Sequence, residues 1–302
     1  MEYVLETNAL CKCYGRFKAL NGLTMHIPKG SIYGFIGRNG AGKSTLIRLI
    51  CGLQTPSSGS YRIYDIDSQD RTIKKSRARM GAVVETPAVY LDMSAEENLK
   101  QQSLMLGLPT YEHIPEILKL VGLSDAGRKK ARHFSFGMRQ RLGIAIALVG
   151  NPDFLILDEP INGLDPQGII EIRELVLKLN REYGITVLIS SHILDELAKV
   201  ATHFGFINDG RIVREMSADE LNAAFRKCLC VKVSDIKALS AAMDKLGFEY
   251  QVISDNEADI FADVSLTKLV FALAEQHCEL LSAFNRDENL ETYFINLVGG
   301  ER

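Results

Sequence analysis

Residues 37–45 read Gly37-Arg38-Asn39-Gly40-Ala41-Gly42-Lys43-Ser44-Thr45. They fit the pattern GxxxxGK[ST], whose chemistry is the grip of a phosphate chain. Glycines let successive backbone N–H groups turn inward around phosphate oxygens, where side chains would collide. A lysine at position 43 reaches the β- and γ-phosphates, and a hydroxyl at Ser44 suits Mg²⁺. A second reactive group closes the apolar run Phe154-Leu155-Ile156-Leu157, which ends in Asp158-Glu159. An acid at a strand end beside a phosphate loop can hold Mg²⁺, directly or through water. The next acid, Glu159, can accept a proton from an attacking water. A third candidate is His192, just after the stretch Thr186–Ser190, which reads as a buried strand. Its imidazole can hydrogen-bond a γ-phosphate through one nitrogen.

These groups need rigid elements around them. Ser31–Ile36 reads as a buried strand and Leu46–Ile50 as the first turns of a helix ending near Gly52, the strand–loop–helix context the motif requires. The helix N-terminus adds unpaired donors and partial positive charge. Before it, residues 3–10 alternate like an edge strand, 11–20 read as a turn with an exposed aromatic at Tyr14, and 21–27 resume strand character. After it come a strand at 60–64, a basic stretch at 70–79 that reads as a solvated helix face, and a short strand at 80–84. Ser94 with Glu97 three residues on is a capping-box pattern opening a helix. Residues 95–130 read as mostly helical, and a further helix runs from Met138 to Gly150. Strands at 154–159 and 186–190 alternate with helices at 166–183 and 194–200, and 204–215 form a hairpin around Asn208-Asp209-Gly210. Strands alternating with helices indicate an α/β architecture. A boundary falls near 217–227. Beyond it the order is strand (228–233), helix (235–246), strand (248–253), strand (258–263), helix (265–276), strand (279–284) and a terminal helix (287–298). That βαββαβ order suggests a small ferredoxin-like split unit.

Composition narrows the class. The chain has 302 residues, enough for roughly two domains, and 46% hydrophobic content supports an ordinary packed core. A net charge of −3 provides no electrostatic footprint for nucleic acid. No apolar run approaches the ~20 residues that span a bilayer, and the first residues lack a signal-peptide pattern. The expected location is cytoplasmic. Six cysteines, four of them in two C-x-C pairs (Cys11/Cys13 and Cys228/Cys230), read as free thiols in a reducing compartment, with a metal or redox pair as the alternative.

Taken together in this order, the motifs of residues 1–215 resemble the nucleotide-binding subunit of an ABC transporter. Residues 37–45 match that family's Walker A and 154–159 its Walker B. Phe134-Ser135-Phe136-Gly137-Met138-Arg139-Gln140-Arg141 is similar to its signature segment, Asn162-Gly163-Leu164-Asp165 to its D-loop, and His192 to its switch histidine. Tyr14 matches the aromatic that stacks on adenine. The resemblance implies a P-loop nucleotide hydrolase of ABC ATPase type over residues 1–222, with a mixed sheet, an antiparallel β subdomain and a helical subdomain at about 86–150. Residues 223–302 would form a small accessory α+β domain. The resemblance further implies ATP and Mg²⁺ as ligands. Contacts to the nucleotide would come from Tyr14, Gly37, Arg38, Asn39, Gly40, Ala41, Gly42, Lys43, Ser44 and Thr45. Ser44, Asp158 and Glu85 would serve the metal, and Lys43, Glu159 and His192 the reaction. Ser135 and Gly137 would act on the ATP of a second copy, so that two nucleotides are sandwiched in a homodimer.

Departures from the family pattern refine the reading. Phe136 stands for the first glycine of Ser-Gly-Gly-Gln and Met138 for the glutamine, so bulk at 136 alters the fit against the partner's nucleotide. Arg38 occupies a variable loop position that often holds proline. Glu85 stands where the family usually has glutamine. An ionised glutamate has no donor, so it should bind the metal more strongly and repel phosphate oxygens. That acid resembles the bacitracin-resistance and lantibiotic-immunity branch; an ordinary strand-end acid is the alternative. The expected function is an ATP-hydrolysing subunit that powers a separate membrane permease, is peripheral on the inner face of the membrane, and exports a peptide antibiotic or similar amphipathic compound. The rivals are a soluble ABC-type ATPase of translation or DNA repair and a regulatory module that senses ATP without turnover. The first is disfavoured by a single cassette without a coiled-coil insertion or basic tail. The second is disfavoured by intact Lys43, Asp158, Glu159 and His192.

Overall fold

The computed structural model describes residues 2–224, 227–261, 265–287 and 290–299, with the side chains at 227, 228, 285–287 and 299 outside that description. The chain divides into two compact units, Met1–Ala218 and Asp219–Arg302.

The first unit opens with β1 (Tyr3–Tyr14) and β2 (Phe17–Pro28), then β3 (Ile32–Ile36) and α1 (Lys43–Ile50). Next come β4 (Ser58–Ile63), β5 (Ile66–Asp67), α2 (Ile73–Arg77) and β6 (Met80–Val83). Three helices follow, α3 (Ala95–Met105), α4 (Ile114–Leu120) and α5 (Phe136–Leu148). The unit closes with β7 (Phe154–Asp158), α6 (Pro166–Tyr183), β8 (Thr186–Ser191), α7 (Leu194–Ala198), β9 (His203–Asn208) and β10 (Arg211–Ser217).

Two sheets organise this unit. The antiparallel one has the order β2-β1-β4-β5, and the larger one the order β10-β9-β3-β8-β7-β6. In the larger sheet β6, β7, β8, β3 and β9 run parallel, and β10 turns back as a hairpin. Parallel strands covered on both faces read as continuous apolar runs. Every residue of β3 and β7 is buried accordingly. One core cluster joins Leu5, Leu23 and Met25 of the antiparallel sheet, Leu46 and Ile47 of α1, and Phe35, Phe154 and Leu188 of the parallel sheet. Truncating such a leucine to alanine typically costs about 2–5 kcal/mol, so the helix behind the phosphate loop is firmly anchored.

Helix α3 starts as its sequence demands. Ser94 Oγ accepts from Glu97 N–H at 3.2 Å, and Ser94 N–H donates to Glu97 Oε2 at 2.6 Å. The Ser94 N–H bond, helped by Lys130 Nζ at 2.9 Å, draws the Glu97 carboxyl down to about 2. Because the folded value lies below the unfolded one, this contribution is present above about pH 4.5 and is lost as pH falls towards 2. In low-salt thermal melts, Glu97→Gln is expected to flatten the acid limb of the stability profile. Ser94→Ala is expected to cost about 0.5–2 kcal/mol.

The second unit contains α8 (Ala218–Ala224, whose first residue belongs to the first unit), β11 (Lys227–Val233), α9 (Ile236–Leu246), β12 (Tyr250–Ser254), β13 (Glu257–Ile260), α10 (Leu266–Glu275), β14 (Leu280–Asp287) and α11 (Leu290–Gly299). Its sheet is antiparallel in the order β12-β13-β11-β14. Leu229, Val231 and Val233 face Leu239, Met243, Leu269 and Leu273 of α9 and α10 in one core. This is the split βαββαβ arrangement. The expected strand at 258–263 stops at Ile260, with residues 262–264 outside the described set, as are residues 288–289 of the expected terminal helix.

Several sequence expectations require correction. The turn expected at 11–20 is strand: β1 continues to Tyr14, and the chain reverses at Gly15-Arg16. Nor is β1 an edge, since it lies between β2 and β4. The physical reason is a bulge. Ala9 adopts a left-handed φ of 45°, and the pairing register shifts between Thr7 and Leu10 and again before Lys12. Each shift moves the apolar alternation to the other face, so a strict period of two is lost. Helix α5 begins two residues before Met138 and ends before Gly150. In the basic stretch, Arg77 is bonded to Tyr61 and to Ile50 O, and Arg79 is paired with Asp153, so both are structural cations. Cys11, Cys13, Cys51 and Cys278 are free thiols, Cys230 is buried, and Cys228 lies outside the described side chains.

Candidate ATP site

The strand order brings the chemistry together. The neighbours β3, β8 and β7 are parallel, so their C-terminal ends open on one side. There β3 leads into the 37–45 loop, β7 into Asp158-Glu159 and β8 into Ser191-His192. Open parallel sheets bind ligands outside such carboxyl ends. The loop ends at the start of α1, where a helix N-terminus leaves backbone N–H groups unpaired and suited to a phosphate.

Gly42 is the helix N-cap at φ 112°, and a Cβ there would lie 2.5 Å from Ala19 O and 2.8 Å from Leu20 Cδ2. Only glycine fits that combination of backbone angle and close approach. Lys43 is buried inside the loop. Its Nζ donates to Gly37 O at 2.7 Å and Arg38 O at 3.4 Å, and it lies 3.4 Å from Glu159 Oε1. The ammonium is thus held between the loop and the strand that carries the acids. Ser44 and Thr45 sit half-buried on the first turn of α1.

Asp158 is 1% exposed. Its Oδ1 accepts from Ser190 Oγ at 2.5 Å, whereas Oδ2 is buried with no hydrogen-bond partner. A buried carboxylate oxygen without a donor calls for a cation or a bound water. That orphaned oxygen fits a Mg²⁺ position. Among the described residues no group of three or more His, Cys, Asp or Glu could hold a metal ion by itself. One carboxylate and the Ser44 hydroxyl match Mg²⁺, which takes few protein ligands and completes its shell with phosphates and water.

Glu159 adopts a left-handed φ of 50°. Such backbone strain is stored where the surroundings over-determine it. Here the Glu159 N–H donates to both Ser190 Oγ at 3.0 Å and Ser190 O at 3.1 Å. The Glu159 carboxylate lies 2.7 Å from His192 Nδ1 and accepts the His192 N–H at 3.3 Å. With Nδ1–H given to Glu159, the remaining nitrogen donates to a phosphate only as imidazolium.

A cleft of about 400 Å³ runs past Lys43, Glu159 and His192, with Asp158 buried behind its lining. Lys43, Ser44, Glu159, Asn162 and His192 line one part, and Tyr14, Phe17 and Ala19 the other. Tyr14 is 43% exposed, and its hydroxyl donates to Gln54 Oε1 at 2.5 Å. The ring itself lines the cleft. Base stacking on an aromatic is worth about 1–3 kcal/mol. Tyr14→Ala should therefore weaken nucleotide binding by that amount in a calorimetric titration, with Tyr14→Phe close to unchanged.

Not every sequence candidate joins this cleft. Ser135 is the N-cap of α5, its Oγ accepting from Met138 N–H at 3.2 Å, and neither Ser135 nor Gly137 lines the cleft. Phe136 is 43% exposed and lies against the D-loop of the same chain, where a Cβ at Gly163 would be 3.7 Å from its ring. Glu85, at a left-handed φ of 60° beyond β6, forms an ion pair with Arg48 of α1 and is absent from the cleft lining. Sequence reading missed Phe17, Gln54, Arg48 and Ser190. Phe17 pairs directly with Tyr14 across the hairpin and became visible only with the turn placed at Gly15-Arg16. Ser190 carried a signal, a buried hydroxyl directly after the apolar run Val187-Leu188-Ile189.

The comparisons agree with this geometry. The family model described as "ABC transporter" matches residues 20–162. The chain is 38% identical over 303 residues to the bacitracin transport ATP-binding protein BcrA of Bacillus licheniformis, covering 99% of each chain. It is 43% identical over 216 residues to the lantibiotic transport ATP-binding protein SrtF of Streptococcus pyogenes, covering 72% of this chain and 92% of that one. Among solved structures, the dimeric post-hydrolysis state of the ATP-binding cassette MJ0796 bound to ADP and Pi superposes with a TM-score of 0.64. It is 26% identical and covers 71% of this chain and 98% of that one. A phosphate loop and two strand-end acids would fit many nucleotide enzymes; the match that runs over 99% of both chains is to a transport ATP-binding protein. The chain therefore belongs to the ATP-binding proteins of ABC transporters, and binding and hydrolysing ATP for transport is its activity.

Proposed function

We propose that this subunit drives export of a peptide antibiotic or a similar amphipathic compound through a separate membrane permease, acting as a homodimer with Mg²⁺-ATP. The observation that carries the reading is the similarity to the bacitracin transport protein BcrA, which runs through the C-terminal third as well as the cassette. Among the described residues no helix is long and apolar enough to cross a membrane, and in this reading the permease supplies the path.

The roles of the residues follow from their placement. The 37–45 loop binds the phosphates, with Lys43 moving its hydrogen bonds from loop carbonyls to the β- and γ-oxygens. Tyr14, with Phe17 beside it, holds the base. Asp158 and the Ser44 hydroxyl would hold Mg²⁺, which would supply positive charge against the charge developing on the phosphate oxygens. Glu159 takes a proton from water. The water oxygen bonds to the γ-phosphorus as the bond to the β–γ bridging oxygen breaks, and ADP departs with that electron pair. His192 fixes the Glu159 carboxylate for this transfer. Ser135 and Gly137, at the start of α5, complete the site of a second copy. Glu85 is held by Arg48 and would approach the metal only if that pair opened.

Co-expressing the chain with its membrane subunit in bacitracin-sensitive cells tests the cargo. The expected result is increased tolerance that disappears with Glu159→Gln. Unchanged tolerance to bacitracin and to lantibiotics, with ATPase activity intact, would remove the cargo assignment and leave the ATPase.

A further inference from the structure

The geometry points to Ser190 as a positioning residue that sets both acids of the hydrolytic site through one hydroxyl. This inference rests on the reading of Asp158 as metal carboxylate and Glu159 as base.

Ser190 is the fifth residue of β8, between the strand that leads into the phosphate loop and the strand that carries the acids. It is fully buried. In the parallel register it lies directly beside Asp158. Its hydroxyl hydrogen goes to Asp158 Oδ1 at 2.5 Å, and its lone pair accepts the Glu159 N–H at 3.0 Å. A hydroxyl has one donor, so the first bond spends it and leaves only acceptor capacity for the second. Both partners are therefore matched in sense, and neither can be swapped without breaking the other.

Two consequences follow. First, by occupying Oδ1 the hydroxyl leaves Oδ2 as the free carboxylate oxygen, and Oδ2 is the buried atom without a partner. Ser190 thereby selects which oxygen of Asp158 is offered to the metal or its bound water. Second, Glu159 has a left-handed φ of 50°. A non-glycine residue holds that conformation only when its neighbours enforce it. The paired acceptors Ser190 Oγ and Ser190 O on one N–H are that enforcement, and they aim the Glu159 side chain at Lys43 and His192. An alanine, valine or isoleucine at 190 would keep the strand and its carbonyl acceptor, lose the bond to Asp158 and leave the Glu159 N–H one acceptor instead of two. Threonine would keep the hydroxyl and add one methyl to a buried position.

The test uses the full chain and compares Ser190→Ala, Ser190→Thr and Asp158→Asn. Binding of a fluorescent ATP analogue is measured with Mg²⁺ and with EDTA, beside steady-state hydrolysis and thermal melting. A hydrogen bond to a charged group supports an expected loss of about tenfold or more on its removal. Ser190→Ala should lose about tenfold of the Mg²⁺-dependent gain in nucleotide affinity and about tenfold in kcat, with metal-free affinity unchanged. Ser190→Thr should recover both to within about threefold of the starting protein. The inference is overturned if Ser190→Ala keeps the Mg²⁺-dependent gain and kcat. It is also overturned if metal-free binding falls as much as Mg²⁺-dependent binding alongside a lowered melting temperature, because the hydroxyl would then serve folding alone. Asp158→Asn separates the two levels. If it leaves the Mg²⁺ dependence intact, the reading of Asp158 fails; if it removes that dependence while Ser190→Ala does not, only the role of Ser190 fails.

Discussion

Glu159→Gln is expected to lower ATP turnover by about 10²–10⁴-fold, the range for losing a positioned general base, while ATP affinity stays within a few-fold. The argument starts from shape. Glutamine is isosteric, so the left-handed backbone at 159 and its bonds to Ser190 survive. The amide cannot take up the proton that leaves water. It also removes the negative charge 3.4 Å from Lys43 Nζ, which frees the ammonium for phosphate oxygens and opposes any loss of binding. The proposed dimer should accumulate with ATP in this variant, because hydrolysis is what reopens it. Phosphate release, equilibrium nucleotide binding and size-exclusion chromatography with ATP check the three parts. Turnover near that of the starting protein would remove Glu159 from the role of base.

Lys43→Ala is expected to abolish useful nucleotide binding, with Kd raised more than hundredfold. Charge-assisted hydrogen bonds contribute about 1.5–3 kcal/mol each, and Lys43 would make them to two phosphates. In the structure the same ammonium bonds Gly37 O and faces Glu159. Its removal leaves a loop carbonyl and a carboxylate uncompensated in a site that must accept further negative charge. Lys43→Arg should not restore binding, because the planar guanidinium is too broad for a position 6% exposed inside the loop. Titration calorimetry checks this, with a melting curve to show that the fold persists. Binding within tenfold of the starting protein would contradict the assigned role.

Much of this site was legible from the chain alone because its parts are local. The 37–45 loop supplies donors from consecutive backbone atoms, so its function is written in consecutive residues. Asp158-Glu159 and His192 each end an apolar run, and such runs read as buried parallel strands without knowledge of their neighbours. Ser94 and Glu97 form their reciprocal cap within one turn of helix. The hairpin at the cleft mouth was misread for the opposite reason. Its bulge at Ala9 breaks the alternation, and only pairing with β2 and β4 shows that residues 11–14 remain strand.

The sequence by itself determined the candidate groups: a phosphate-binding loop, two adjacent acids at a strand end and a histidine, in an α/β unit followed by a βαββαβ unit. Tertiary structure alone decided which groups touch. Strand order placed Ser190 between Asp158 and the backbone of Glu159, 32 and 31 residues away in the chain. It closed the Glu159–His192 contact, paired Glu85 with Arg48 away from the cleft, and set Phe17 beside Tyr14. The reason is the range of the forces. Backbone conformation and local periodicity act over a few residues and can be read in order. A hydrogen bond or ion pair between strands depends on sheet order and register, which arise from the burial of the whole core.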